Sequence, residues 1–197
     1  EEQQLYNVID ELRIAGGLKF MPKVYILEAN YMNAFASGYS EKSSLVAITS
    51  ALLNKLDRAE LQAVMAHEIS HIRNMDIKLT LMASVLANIM LIVIDLLFYS
   101  VVFGRRDRER SDSRLFLIII ILRYTLPLIT VLLTLYLSRT REYLADAGCV
   151  EMLRDNQPLA RALLKIQGDT EANADTLSQE YASTPHENVR RAAYIFD

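Results

Sequence analysis
The sequence predicts an α+β chain, mainly helical, with a small β-sheet, interrupted by a helical hairpin that crosses a membrane. Three observations carry this. Two long apolar stretches hold a single formal charge each, Asp95 between Leu79 and Phe103 and Arg123 between Leu115 and Leu137. Three short runs rich in β-branched and aromatic residues lie ahead of them. Apolar residues at helical spacing, punctuated by capping and turn residues, account for most of the remainder.

In chain order, Leu5, Val8, Ile9 and Leu12 recur at helical spacing and Gly16-Gly17 ends the pattern, giving an amphipathic helix. Strands are expected at Lys23 to Leu27, Asn33 to Ser37 and Ser44 to Ile48, separated by Gly38 and polar turn residues. Asp57-Arg58-Ala59-Glu60 has the form of a capping box, so a helix starts there and runs through His71. At about 1.5 Å per residue, both apolar stretches exceed the roughly 30 Å of a hydrocarbon core. Asp95 and Arg123 are equidistant from residue 109, the middle of the intervening loop, and can pair at one depth of an antiparallel hairpin. Pro127 predicts a bend in the second stretch. Arg139 to Leu153 and Pro158 to Gln167 read as helices, Thr170 to Ser183 as loop, and Glu187 to Phe196 as a closing helix. The chain thus divides into residues 1–78, a hairpin over 79–138, and residues 139–197.

Composition narrows the function. A chain of 197 residues can bury a sizeable core. Its one cysteine, Cys149, excludes a disulfide scaffold and a cysteine-rich metal motif. A formal charge of -3 argues against a nucleic-acid partner. A mean hydropathy of +0.15 in a chain that is 23% charged requires apolar and charged residues to be segregated, which suits a bilayer partner. Five arginines in the loop face Arg73, Lys78, Arg139 and Arg141 at the opposite ends, so charge selects no orientation. The opening Glu1-Glu2-Gln3-Gln4, without an initiating Met, suggests the interior of a longer protein.

The chemistry is concentrated in His67-Glu68-Ile69-Ser70-His71. On a helix, His67 and His71 are about 40° apart around the axis and one turn apart along it, so both imidazoles can reach one ion. Glu68 is turned about 100° away, poorly placed to ligate but able to reach a water on the same metal. A catalytic zinc site needs a third protein ligand and an open fourth position. Asp95 lies within the first apolar stretch. Asp76, about 180° round the helix from His67, is equally ill placed. Glu142 fits, because two membrane crossings return the chain to the side it left. Asp146, one turn beyond Glu142, and Asn74, about 20° from His67, are positioned to orient a ligating imidazole.

These residues resemble the M48 peptidases, and within them the bacterial HtpX-type membrane metalloproteases. The likeness runs through Asn33-Ala34-Phe35-Ala36-Ser37-Gly38, Ser44-Leu45-Val46-Ala47, Ala66 to Ile72, and Ser138 to Gly148, in that order. It implies a zincin or gluzincin-like protease domain with Zn2+ on His67, His71 and Glu142 and with Glu68 as base. It further implies a multi-pass protein of the bacterial inner membrane, its site facing the cytoplasm, in stress response and protein quality control, with two more membrane helices ahead of Glu1. The family usually carries a His-Pro pair and then an Arg near the C-terminus. Here Thr184-Pro185-His186 precedes Arg190, so the proline and arginine align and the histidine is displaced.

The expected activity is zinc-dependent endopeptidase cleavage of misfolded or membrane polypeptides. Glu68 takes a proton from water and delivers it to the leaving amine. His186, Tyr143 and Arg190 are candidate donors to the charge that develops. The strand holding Asn33, Ala34, Phe35 and Ala36 would bind an extended substrate by strand addition if it lies at the sheet edge. The alternatives are a catalytically silent membrane subunit with a structural metal, a transporter using Asp95 and Arg123, and a helical domain without a membrane role. A homo-oligomer and membrane quality-control partners are compatible with all of this.

Overall fold
The computed structural model describes residues 2–103 and 113–173. Most of the arginine-rich loop, the expected closing helix, His186 and Arg190 lie outside the described residues. The chain divides into two compact units, one made of Glu1–Lys78 with Glu142–Asp197 and the other of Leu79–Arg141.

The first unit opens with helix α1 (Glu2–Ala15), which buries Leu5, Val8, Ile9 and Leu12 on one stripe. Gly17 ends it at φ 72, a left-handed conformation that glycine adopts without the steric cost of a Cβ. Strands β1 (Lys23–Leu27), β2 (Ala34–Ser37) and β3 (Leu45–Thr49) form one mixed sheet in the order β1-β3-β2. β1 pairs with β3 in parallel, Val24 opposite Val46, and β2 pairs with β3 antiparallel, Ala36 opposite Val46. β2 and β3 each start one residue later than expected. The Asn33 amide is taken by the Thr49 hydroxyl at 2.9 Å, and the Ser44 hydroxyl turns back to the Glu41 carbonyl at 2.6 Å. Thr49 also caps a short helix, α2 (Ser50–Lys55), which has too few residues to show a period in the sequence.

Helix α3 (Arg58–Arg73) is the centre of this unit. Its start is the expected capping box: Asp57 accepts from the Glu60 amide at 2.9 Å and Glu60 accepts from the Asp57 amide at 3.0 Å. Leu61, Ala63, Val64, Met65, Ala66, Ile69 and Ile72 are all buried, so the helix is surrounded rather than laid on a surface. α1, β2 and α6 (Gln157–Ala172) all pack on it. Glu60, 1% exposed, is met from α6 by Lys165 at 2.6 Å and Arg161 at 3.7 Å. α6 continues into the stretch expected to be loop. Thr170 satisfies the Ile166 carbonyl at 2.9 Å and Gln167 pairs with Glu171 at 2.8 Å, which extends the last turns.

The second unit consists of parts of two long helices, α4 (Asp76–Phe103) and α5 (Ser113–Leu153). Both are long and apolar enough to cross a membrane. Their most apolar windows have a mean hydropathy of 2.4 and are 6% and 0% buried. Arg123 lies 3.0 Å from Asp95, with its guanidinium 4.2 Å from the Phe98 ring centre. Arg141 donates to the Thr80 hydroxyl at 2.5 Å. α5 continues through Pro127, and Thr125, Thr130 and Thr134 turn their hydroxyls back onto carbonyls one turn earlier.

Candidate metal centre
His67 and His71 sit on successive turns of α3 with their Nε2 atoms 3.2 Å apart. Two ring nitrogens facing each other that closely need a shared proton or cation between them. Glu142, on α5, brings Oε2 to 3.6 Å from His67 Nε2 and 3.8 Å from His71 Nε2. A tetrahedral zinc with bonds of about 2.0–2.1 Å separates its ligand atoms by about 3.3–3.4 Å. The triangle therefore has the size for one such ion, and two imidazoles with one carboxylate form a donor set that leaves the fourth position open.

Each imidazole is also held from behind. His67 Nδ1 lies 3.0 Å from Asp146 Oδ1, close enough for ion pairing although the carboxylate stands off the line of the ring N–H. His71 Nδ1 lies 2.6 Å from Asp76 Oδ2. Carboxylates so placed fix ring orientation and direct the Nε2 lone pairs at a metal. Burial discourages charge on His67. The neighbouring Asp146 and Glu142 carboxylates and the charge of Glu68 outweigh it and push its pKa up to about 10.

Glu68 is 3% exposed and is not part of the triangle. Burial pushes its carboxyl above the usual range, while His67, His71 and a hydrogen bond from the Ala36 amide pull it back. The Ala36 amide ties Glu68 to β2, which the strand order places at an edge of the sheet. Beside the triangle, Val64, Leu159, Leu163 and Ile166 line a cavity of about 180 Å³ that reaches His67, Glu142 and Asp146.

The structure therefore brings together His67, His71, Glu142 and Asp146, with Glu68 on the same helix. Asn74 is elsewhere: it caps α3 and its amide donates to Ser70 Oγ at 3.5 Å, not to an imidazole. Tyr143 is 72% exposed on α5. Asn33 is anchored to Thr49 ahead of β2, and Ala34, Phe35 and Ala36 form the strand. Asp76 was missed. It is no ligand, but it is buried against His71, because α3 stops at Arg73 and Met75 adopts φ 55, which swings the first residue of α4 back over the imidazole. The Asn-Met-Asp sequence gave no sign of that turn.

A family model described as peptidase family M48 matches residues 1–196. Among curated relatives, a protease HtpX homologue of Helicobacter pylori (strain Shi470) is 46% identical over 197 residues, which is 100% of this chain and 61% of the relative. One from Listeria monocytogenes serotype 4a (strain HCC23) is 36% identical over 208 residues, 98% of this chain and 68% of the relative. One from Dictyoglomus thermophilum is 41% identical over 162 residues, 82% and 53% respectively. The chain thus spans 61% of the length of the Helicobacter pylori relative.

Proposed function
The chain belongs to peptidase family M48, and from that premise we propose that it is the metal-bearing part of a zinc-dependent endopeptidase of the bacterial inner membrane, acting on unfolded or membrane polypeptides from the cytoplasmic side. The observation that carries this reading is the Nε2, Nε2, Oε2 triangle of His67, His71 and Glu142 with a buried glutamate beside it. His67, His71 and Glu142 would hold the ion, Asp146 and Asp76 keeping the two rings in place. When bound, Zn2+ supplies Lewis acidity, polarising the peptide carbonyl and making a water acidic enough to be deprotonated near neutral pH.

The protein's own part in the chemistry falls to Glu68. Its carboxylate accepts a proton from the attacking water as the water oxygen bonds to the carbonyl carbon. It then delivers that proton to the nitrogen as the C–N bond breaks. Burial supports the first half of this role, since a carboxylate with a raised pKa is a stronger base toward the proton of the attacking water. The outer edge of β2 supports binding of an extended chain by strand addition, next to Glu68 because Ala36 belongs to that strand. The cavity lined by Val64, Leu159, Leu163 and Ile166 suits an apolar side chain of such a substrate. Two apolar helices almost none of whose residues are buried support a lipid-spanning hairpin, because in water that surface would have to be covered.

Glu68→Gln in the intact protein in detergent tests the assignment. Zinc content stays at the wild-type level, and cleavage of an unfolded test protein falls at least about 100-fold. In the wild type, a chelator abolishes cleavage and added Zn2+ restores it. Proteolysis that survives full removal of metal, or that survives Glu68→Gln, overturns the proposal. A metal-loaded wild type without any cleavage points instead to a silent subunit with a structural ion.

A further inference from the structure
Gly148 lies on α5 against Ser70 of α3, and the structure leaves no room there for a side chain. A Cβ built on Gly148 would run into Ser70 Oγ and come within 3.0 Å of Ser70 Cβ. Carbon–carbon contacts are most favourable at about 3.5–4.0 Å, so one helix would have to yield. Glycine weakens a helix interior, and Gly148 sits inside a regular helix with no left-handed backbone angle to justify it. The reason for it is the neighbouring helix. The seam confirms how near the two backbones are: Cys149 Sγ reaches the Ala63 carbonyl at 3.4 Å and Ser70 Oγ reaches the Leu144 carbonyl at 3.5 Å. Ala145 and Ala66, both fully buried, complete it.

The depth of this seat bears on the metal residues because they are borne by the same two helices. Ser70 stands directly before His71, and Gly148 follows Asp146 by two residues and Glu142 by less than two turns. Asp146 has a short side chain and meets His67 at 3.0 Å, and Glu142 stands at 3.6 and 3.8 Å from the two imidazoles. Moving α5 outward lengthens all three separations together. We propose that Gly148, seated on Ser70, is a positioning residue for the metal centre: it lets the acid-bearing helix approach closely enough for Glu142 to complete the ligand set and for Asp146 to hold His67. This rests on the reading of His67, His71 and Glu142 as ligands.

The test uses the intact protein in detergent and reads two quantities: Zn2+ affinity by competition with a chromophoric chelator, and the visible absorption of the Co2+-loaded form. Gly148→Ala weakens Zn2+ binding about tenfold and Gly148→Val about 100-fold, the range seen when the partners of ligands are disturbed, with an altered Co2+ spectrum in both. Pairing Gly148→Ala with Ser70→Gly restores affinity and spectrum, and pairing it with Ser70→Ala, which removes only the hydroxyl, restores them in part. Melting of the metal-free variants, compared with their affinities, separates a moved ligand from a lost fold. Wild-type affinity and spectrum in Gly148→Val, or a loss in Gly148→Ala that trimming residue 70 does not relieve, overturns the proposal. A different failure marks the underlying reading as wrong: His67→Ala and Glu142→Ala then bind Zn2+ as tightly as the wild type.

Discussion
The two units of the chain treat polar and apolar groups in opposite ways. In the first, Leu5, Ile9, Met65 and Ile69 are inside, and so are Glu60, Glu68, Asp76 and His67, each held by a partner of opposite charge or by a backbone donor. In the second, Leu86, Leu96 and Leu133 are more than half exposed, and the charges Asp95 and Arg123 meet each other and the Phe98 ring. One region gathers charge in its interior at the cost of desolvating it, which is the arrangement of a reactive site. The other pairs charge inside an apolar surface, which is what a helix pair needs where water is absent.

Asp76 gives the sharpest way to break that contrast, because in the first unit a buried carboxylate is expected to act on a metal ligand. Asp76→Ala lowers Zn2+ affinity about 10- to 100-fold by chelator competition. Asp76→Asn lowers it less, since the amide oxygen still accepts from His71 Nδ1 but brings no charge. Equal affinity in all three proteins would reduce Asp76 to a helix end. In the second unit, Asp95→Asn strands Arg123 and costs about 2 kcal/mol of stability in thermal unfolding in lipid. Adding Arg123→Leu recovers most of it. Zn2+ affinity stays within about twofold in both, so an effect as large as that of Asp76→Ala would erase the distinction between the units. The smallest effect is expected at Asp57, where loss of the cap in Asp57→Ala lowers the melting temperature slightly. The Glu60 amide holds the Asp57 carboxyl below its ordinary 3.8, so the folded state favours the ionised form. That contribution is present above pH 3.8 and disappears as pH falls through the lower folded-state value. Melting curves of wild type and variant therefore converge in strong acid.

Local chemistry was legible in the sequence. The capping box at Asp57 and Glu60, the His67–His71 spacing and the glycine stop after α1 each depend on residues within one or two turns. Glu142, far away in sequence, was legible from the expectation that a hairpin joins the two parts of the site. Asp76 was not. Placing it by 100° per residue assumes a helix that goes on, and the left-handed Met75 ends that assumption one residue earlier. The edge position of β2 was equally hidden, since three strands of similar composition do not announce which one lies in the middle. α2 was lost because six residues are too few to show a period, and the last turns of α6 because Gln167 and Glu171 pair at short range without leaving an apolar period.

β2 is only four residues long, which is about 13 Å at roughly 3.3 Å per residue. If β2 receives a substrate strand as proposed, a landing rail of that length would grip a handful of main-chain groups and leave the rest of the polypeptide untouched. It would reward slackness in the guest more than any particular spelling of its side chains. Proteins whose own strands are already matched would have nothing to offer such a rail, whereas a chain that has come undone could lay a short length of itself there.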